Sequence, residues 1–141
     1  MRRVTILVLV VALLFCMPGA ALAADNVQAV GDDVISPRLA YISYATCSLD
    51  ISSNGYAQMS AVMECYSPVN KIRLSPHLQR YVNGSWQDVT KWSQTTYSDF
   101  ATWSKGYYVT SGYQYRLMCY YYCYYDATLL ESVTCANYDT Y

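Results

Sequence analysis

Every second residue from Tyr113 to Tyr125 belongs to one set. Tyr113, Tyr115, Leu117, Cys119, Tyr121, Cys123 and Tyr125 alternate with a second set that includes Arg116, Met118, Tyr120, Tyr122 and Tyr124. Successive side chains of a strand point to opposite faces, so a period of two predicts a strand. Tyr121 and Tyr125 are then expected toward a core, and Tyr120, Tyr122 and Tyr124 outward. Aromatic and β-branched residues favour this geometry.

The same period recurs upstream. Tyr41, Ala45, Cys47, Leu49 and Ile51 share a face, as do Ala57, Met59, Ala61, Met63 and Cys65, and Ser52-Ser53-Asn54-Gly55 between them is a turn. A turn centred near Asn54 sets Cys47 opposite Ala61. Asn83-Gly84 is a stronger signal, because both central positions of the favoured two-residue hairpin turn need positive φ. It pairs Val82 with Ser85, Tyr81 with Trp86, Gln79 with Asp88 and Leu78 with Val89. Ile72, Leu74, Leu78, Val82 and Val89 then form a core face. Lys71, Arg73, His77, Gln79, Tyr81, Trp86, Asp88 and Trp92 take the other face. Pro76 within the strand predicts a bulge or an edge. Residues 93–106, mostly Ser, Thr, Asp, Lys and Gly with Tyr97, Phe100 and Trp103, read as a loop or short irregular strand. Asp126-Ala127-Thr128 turns the chain into a last strand over Leu129 to Tyr138. Six to eight strands joined by turns predict an all-β fold, an antiparallel β-sandwich.

The first residues have a different character. Met1-Arg2-Arg3 is basic, Val4 to Phe15 is uncharged and apolar, Pro18-Gly19 breaks the run, and Ala21-Leu22-Ala23 fits a cleavage site. This is the order of a secretory signal peptide over residues 1–23, with the cut after Ala23. The apolar run is short of the roughly 20 residues that span a bilayer. Residues 24–37 read as a flexible lead-in and 38–141 as the sandwich domain. The mature chain is therefore expected outside the cell, with no stable membrane anchor. Losing Arg2 and Arg3 leaves seven basic residues against ten acidic ones, about −3. That balance argues against nucleic acid as partner.

Cleavage leaves Cys47, Cys65, Cys119, Cys123 and Cys135, an odd number. Disulfides suit an exported chain, and at least one thiol stays outside a two-bridge set. If the last hairpin centres on Ala127, Tyr121 faces Val133 and Cys119 faces Cys135, within disulfide reach. Cys119–Cys135 is the expected bridge, and Cys65–Cys123, joining two sheets, is the alternative. Cys47 and Cys65 are a poor pair in the predicted register.

Chemistry-bearing patterns are sparse. His77 is the only histidine and lies mid-strand, where a surface role accounts for it. Cys119 and Cys123 would lie about 13 Å apart along a strand, too far to share one metal. The carboxylates are scattered near turns, and the turn itself accounts for Asn83-Gly84-Ser85. No catalytic residue, metal site or cofactor is assigned. The non-core face of the second hairpin remains: Tyr81, Trp86 and Trp92 are expected to form a ligand-binding patch rimmed by Gln79, Arg73 and Asp88. The alternative is that residues 93–106 fold back and bury it.

Ser111-Gly112-Tyr113-Gln114-Tyr115-Arg116-Leu117 resembles the late-strand entry of immunoglobulin-like domains, where a Tyr packs at the corner. Through this segment, Gly55-Tyr56-Ala57, Leu78-Gln79, Gly84-Ser85-Trp86 and Val89, the mature chain resembles small exported domains of unknown function from Gram-positive bacteria. The resemblance implies an immunoglobulin-like β-sandwich and carries no activity. The expected function is a secreted, non-enzymatic binding or interaction module for an unknown extracellular protein or glycan. A carbohydrate-binding domain using exposed aromatics, and a secreted enzyme with an unrecognised site, are the alternatives.

Overall fold

A computed structural model describes residues 39–141. The expected signal peptide and lead-in lie outside the described residues. Eight strands follow in order: β1 (Ile42–Ile51), β2 (Tyr56–Cys65), β3 (Lys71–Val82), β4 (Ser85–Lys91), β5 (Gln94–Thr96), β6 (Phe100–Tyr108), β7 (Gln114–Tyr125) and β8 (Thr128–Thr140). They form two packed antiparallel sheets, a β-sandwich. One sheet has the order β1-β2-β6. The other has β4-β3-β7-β8, with β5 also paired to β3.

The hairpin registers follow the turns. Asn83 (φ 50°) and Gly84 (φ 82°) hold the positive φ that their turn needs, and Val82 pairs with Ser85, Tyr81 with Trp86 and Gln79 with Asp88. Cys47 pairs with Ala61. In the last hairpin Tyr121 pairs with Val133 and Cys119 with Cys135.

Two bulges correct the rest. A register shift between Leu78 and Gln79 puts Thr90, not Val89, opposite Leu78. One inserted residue reverses every later side chain of the bulged strand, so the outward placement of Trp92 does not hold. A second shift, opposite Cys123 and Tyr124, inserts Leu130 into β8. The inward row of β7 ends at its last residue: Cys123 is buried but Tyr125, beside the turn, is 49% exposed.

Pro76 sits inside a central strand. Its carbonyl accepts from Trp92 N–H at 2.9 Å. In an antiparallel ladder a residue's N–H and C=O face the same neighbour, so the missing donor falls at the break between β4 and β5. Of the two readings of residues 93–106, the strand holds rather than the loop, and it is more regular than expected: the segment supplies β5 and most of β6, which pairs with β2 and buries Ala101 and Trp103.

The core lies between the sheets. Met59, Met63, Ile72, Leu74, Leu78, Leu117, Tyr115, Tyr121 and four of the five described cysteines are buried there. Buried Tyr hydroxyls need partners. Tyr121 donates to the Thr46 carbonyl across the sandwich. Tyr115, at the entry to β7, donates to the Thr110 carbonyl at 2.7 Å and accepts from Thr110 N–H at 3.1 Å.

Candidate functional site

The two outer faces differ in chemistry. That of β1-β2-β6 presents small polar residues along its middle, such as Ser48, Ser60 and Ser104, with Asp50 and Glu64, and exposed aromatics at its ends, Phe100 and the Tyr56–Tyr108 pair. That of the five-stranded sheet presents aromatics and cations, and it is the candidate contact surface.

One row crosses four strands there: Asp88 on β4, Gln79 on β3, Arg116 on β7 and Tyr138 on β8 are successive cross-strand neighbours. Gln79 is almost buried and bridges its neighbours. Its Nε2 donates to Asp88 Oδ1 at 2.8 Å, and its Oε1 accepts from Arg116 Nε at 2.7 Å. Asp88 also meets Lys91 Nζ at 2.8 Å and His77 Nδ1 at 3.4 Å. The hydrogen bonds from Lys91 and Gln79 hold its carboxyl below the usual aspartate value.

Arg116, fixed by Gln79, stacks on Trp86 with its guanidinium carbon 4.4 Å from the ring centre. Tyr81 and Tyr138 flank the same indole at 5.1 and 5.7 Å. Tyr81 is 42% and Tyr138 38% exposed, so the cluster is open to solvent. Three strands, β3, β4 and β8, supply its aromatics, and β7 supplies its cation.

Further along the sheet the outward tyrosines of β7 pair with β3. Lys71 lies over Tyr124 at 4.5 Å and Arg73 over Tyr122 at 4.4 Å. The His77 ring meets Tyr120 edge-on at 5.0 Å. Beside them Tyr120, Tyr122, Ser132, Val133 and Thr134 line a shallow, open depression of about 340 Å³.

Of the expected patch, Tyr81 and Trp86 come together and Trp92 does not join them. The bulge at Val89 turns Trp92 toward the core side, where it packs on Trp103 at 5.2 Å and Tyr107 at 6.3 Å. The segment 93–106 thus folds back, as one alternative had it, but covers Trp92 alone. Gln79 and Asp88 support the patch from the neighbouring row, whereas Arg73 stacks on Tyr122 at the other end of β3. The sequence reading missed Tyr138 and Arg116. The register centred on Ala127 already sets them opposite each other; what it lacked was the strand order that brings both beside Trp86.

The expected Cys119–Cys135 pair is directly opposed in the ladder, yet among the described residues no cysteine is disulfide-bonded. The Cys135 sulfur turns instead to Cys47 on the other sheet. Among the described residues no group of three or more His, Cys, Asp or Glu side chains is arranged to hold a metal ion.

No protein-family model matches the chain, and no curated protein matches it.

Proposed function

We propose that the chain is a secreted, non-enzymatic binding module of the immunoglobulin-like sandwich type. It contacts an extracellular protein or glycan through the outer face of its five-stranded sheet. The observation that carries this reading is the solvent-open cluster of Tyr81, Trp86 and Tyr138. A cross-strand aromatic pair stabilises a hairpin by about 0.2–1 kcal/mol, which accounts for Tyr81 and Trp86. It does not account for a third aromatic from a strand two places away. Exposed aromatic clusters mark contact surfaces, and aromatics and Arg dominate the energetics of such surfaces. Sheets of order β1-β2-β6 and β4-β3-β7-β8, with the Tyr115 corner, support the immunoglobulin-like type. The basic start, apolar run and Ala21-Leu22-Ala23 support export.

Carbohydrate binding is the second reading. The depression beside Tyr120 and Tyr122, with the Ser132 and Thr134 hydroxyls at its wall, favours it. Probing a glycan array and a cell-wall pull-down with the wild type and Trp86→Ala tests both. The wild type is expected to be retained by one of them. Trp86→Ala should bind at least about tenfold more weakly, with an unchanged circular dichroism spectrum. Equal binding by Trp86→Ala overturns the aromatic-patch reading. Capture by cell-wall protein and by no glycan overturns the carbohydrate reading.

A further inference from the structure

All five cysteines of the described chain lie in or beside the core between the sheets. Cys47 and Cys65 belong to the three-stranded sheet, and Cys119, Cys123 and Cys135 to the other. Their contacts sort them. Cys47 Sγ and Cys135 Sγ are 2.7 Å apart, well inside ordinary thiol contact and approaching the S–S bond of about 2.05 Å. Cys65 and Cys123 are buried in the same core, one from each sheet. Cys119, almost wholly buried, lies opposite Cys135 in the β7–β8 ladder.

We infer that the oxidised protein carries two bridges between its sheets, Cys47–Cys135 and Cys65–Cys123, and that Cys119 is the buried odd thiol. Cys135 has two partners within reach, Cys119 across the β7–β8 ladder and Cys47 on β1. Its sulfur is turned to Cys47. The in-sheet pairing would swing it away from β1 and strand Cys47 without a partner.

The surroundings of Cys135 fit this choice. On β8, Glu131, Asn137 and Asp139 send their side chains to the backbone of β1. The Glu131 carboxylate accepts from the N–H groups of Ala40, Tyr41 and Ile42 at 3.0–3.1 Å. Asn137 Oδ1 accepts from Leu49 N–H at 3.0 Å, and Asp139 Oδ2 from Ile51 N–H at 2.6 Å. Cys135 occupies the same row, so its bridge falls in the middle of a seam that already holds β1 to β8.

Each bridge forms by exchange with a small disulfide such as oxidised glutathione. A cysteine thiolate attacks one sulfur of the oxidant and forms a mixed disulfide, releasing one glutathione thiol. The second cysteine displaces the other. Two protein S–H bonds are lost and one S–S bond is gained. The oxidant is reduced to two thiols, which carry away both protons. Neighbouring thiols and burial raise the thiol pKa values of Cys47 and Cys135, burial and the nearby Cys123 raise that of Cys65, and burial raises that of Cys123. Thiolate is therefore scarce once the sandwich has closed, and the bridges form as the chain folds.

The test is to unfold and reduce the full chain, refold it in a reduced/oxidised glutathione buffer, quench with iodoacetamide and map chymotryptic peptides without reduction. Tyrosines and leucines separate all five cysteines for the protease. The expected product is lighter than the reduced chain by four hydrogens before alkylation. It contains peptides linking Cys47 to Cys135 and Cys65 to Cys123, and Cys119 is alkylated only after unfolding. Cys119→Ala should form the same two links. A Cys119–Cys135 link, a fully reduced product, or loss of either link in Cys119→Ala overturns the assignment. None of these outcomes depends on the ligand, so the assignment and the binding reading fail separately.

Discussion

Gln79 is the residue on which the binding face turns. It lies nearly buried between an acid and a base, donating to one and accepting from the other. A Glu here would lose the donor to Asp88, and a Leu would remove the hydrogen bond from both neighbours, leaving Asp88 to Lys91 and His77 and Arg116 to its stacking on Trp86. Gln79→Leu is expected to cost about 1–3 kcal/mol, read as a lower urea midpoint, and to loosen Arg116 on Trp86. The second effect would appear as a change in tryptophan fluorescence. Asp88 adds a pH dependence of known sign. Its folded pKa lies below the unfolded one, so its contribution is complete above the usual aspartate pKa and is lost as pH falls through the lowered folded value. Asp88→Asn should therefore be less stable than wild type at neutral pH, and the gap should close in acid. A gap that stays constant down to pH 2 would refute the coupling.

At the scale of elements, β1 is an edge strand whose outward amides would otherwise template another chain. The polar side chains of β8 take them instead. Asn137→Ala leaves Leu49 N–H without its acceptor, with an expected cost of about 1–3 kcal/mol. Hydrogen exchange should rise at Leu49 before it rises in β2. Uniform exchange across both strands would count against a local role for Asn137. The elements also show what could be read in advance. Turn residues set a register that the strands must obey, and so the Asn83-Gly84 hairpin, Cys47 opposite Ala61 and Cys119 opposite Cys135 were legible. Trp92 was not, because one extra residue at Val89 reverses side-chain parity and nothing in the local sequence announces it. Strand β6 was masked by its composition. Only Ala101 and Trp103 of its nine residues are buried, and Ser104, Lys105 and Gly106 interrupt the apolar alternation between them and the exposed Tyr107 and Tyr108. Tyr138 joined the site through sheet order, a non-local property that no hairpin register contains.

At the scale of the molecule, the two sheets share no strand. They are joined by the core, by the seam between β1 and β8, and by the crossing connections of the chain. A covalent tie between them therefore acts on the unfolded chain more than on any local contact. Residues 47 and 135 are 88 positions apart, so bridging them removes much of the freedom of the denatured state. A disulfide closing a loop of that size contributes typically about 2–4 kcal/mol. The Cys65–Cys123 bridge closes a loop nested inside the first, so the two effects add incompletely. Refolding the chain with and without reductant should give two all-β species with the same circular dichroism. Their urea midpoints should differ, and the bridged form should be the more stable by at least the contribution of one bridge. The difference should persist in Cys119→Ala, because that thiol belongs to neither tie. It should shrink in Cys65→Ala, which keeps only the outer loop. If the reduced and oxidised chains unfold at the same urea concentration, the sheets are held by packing and by the β8 side chains alone.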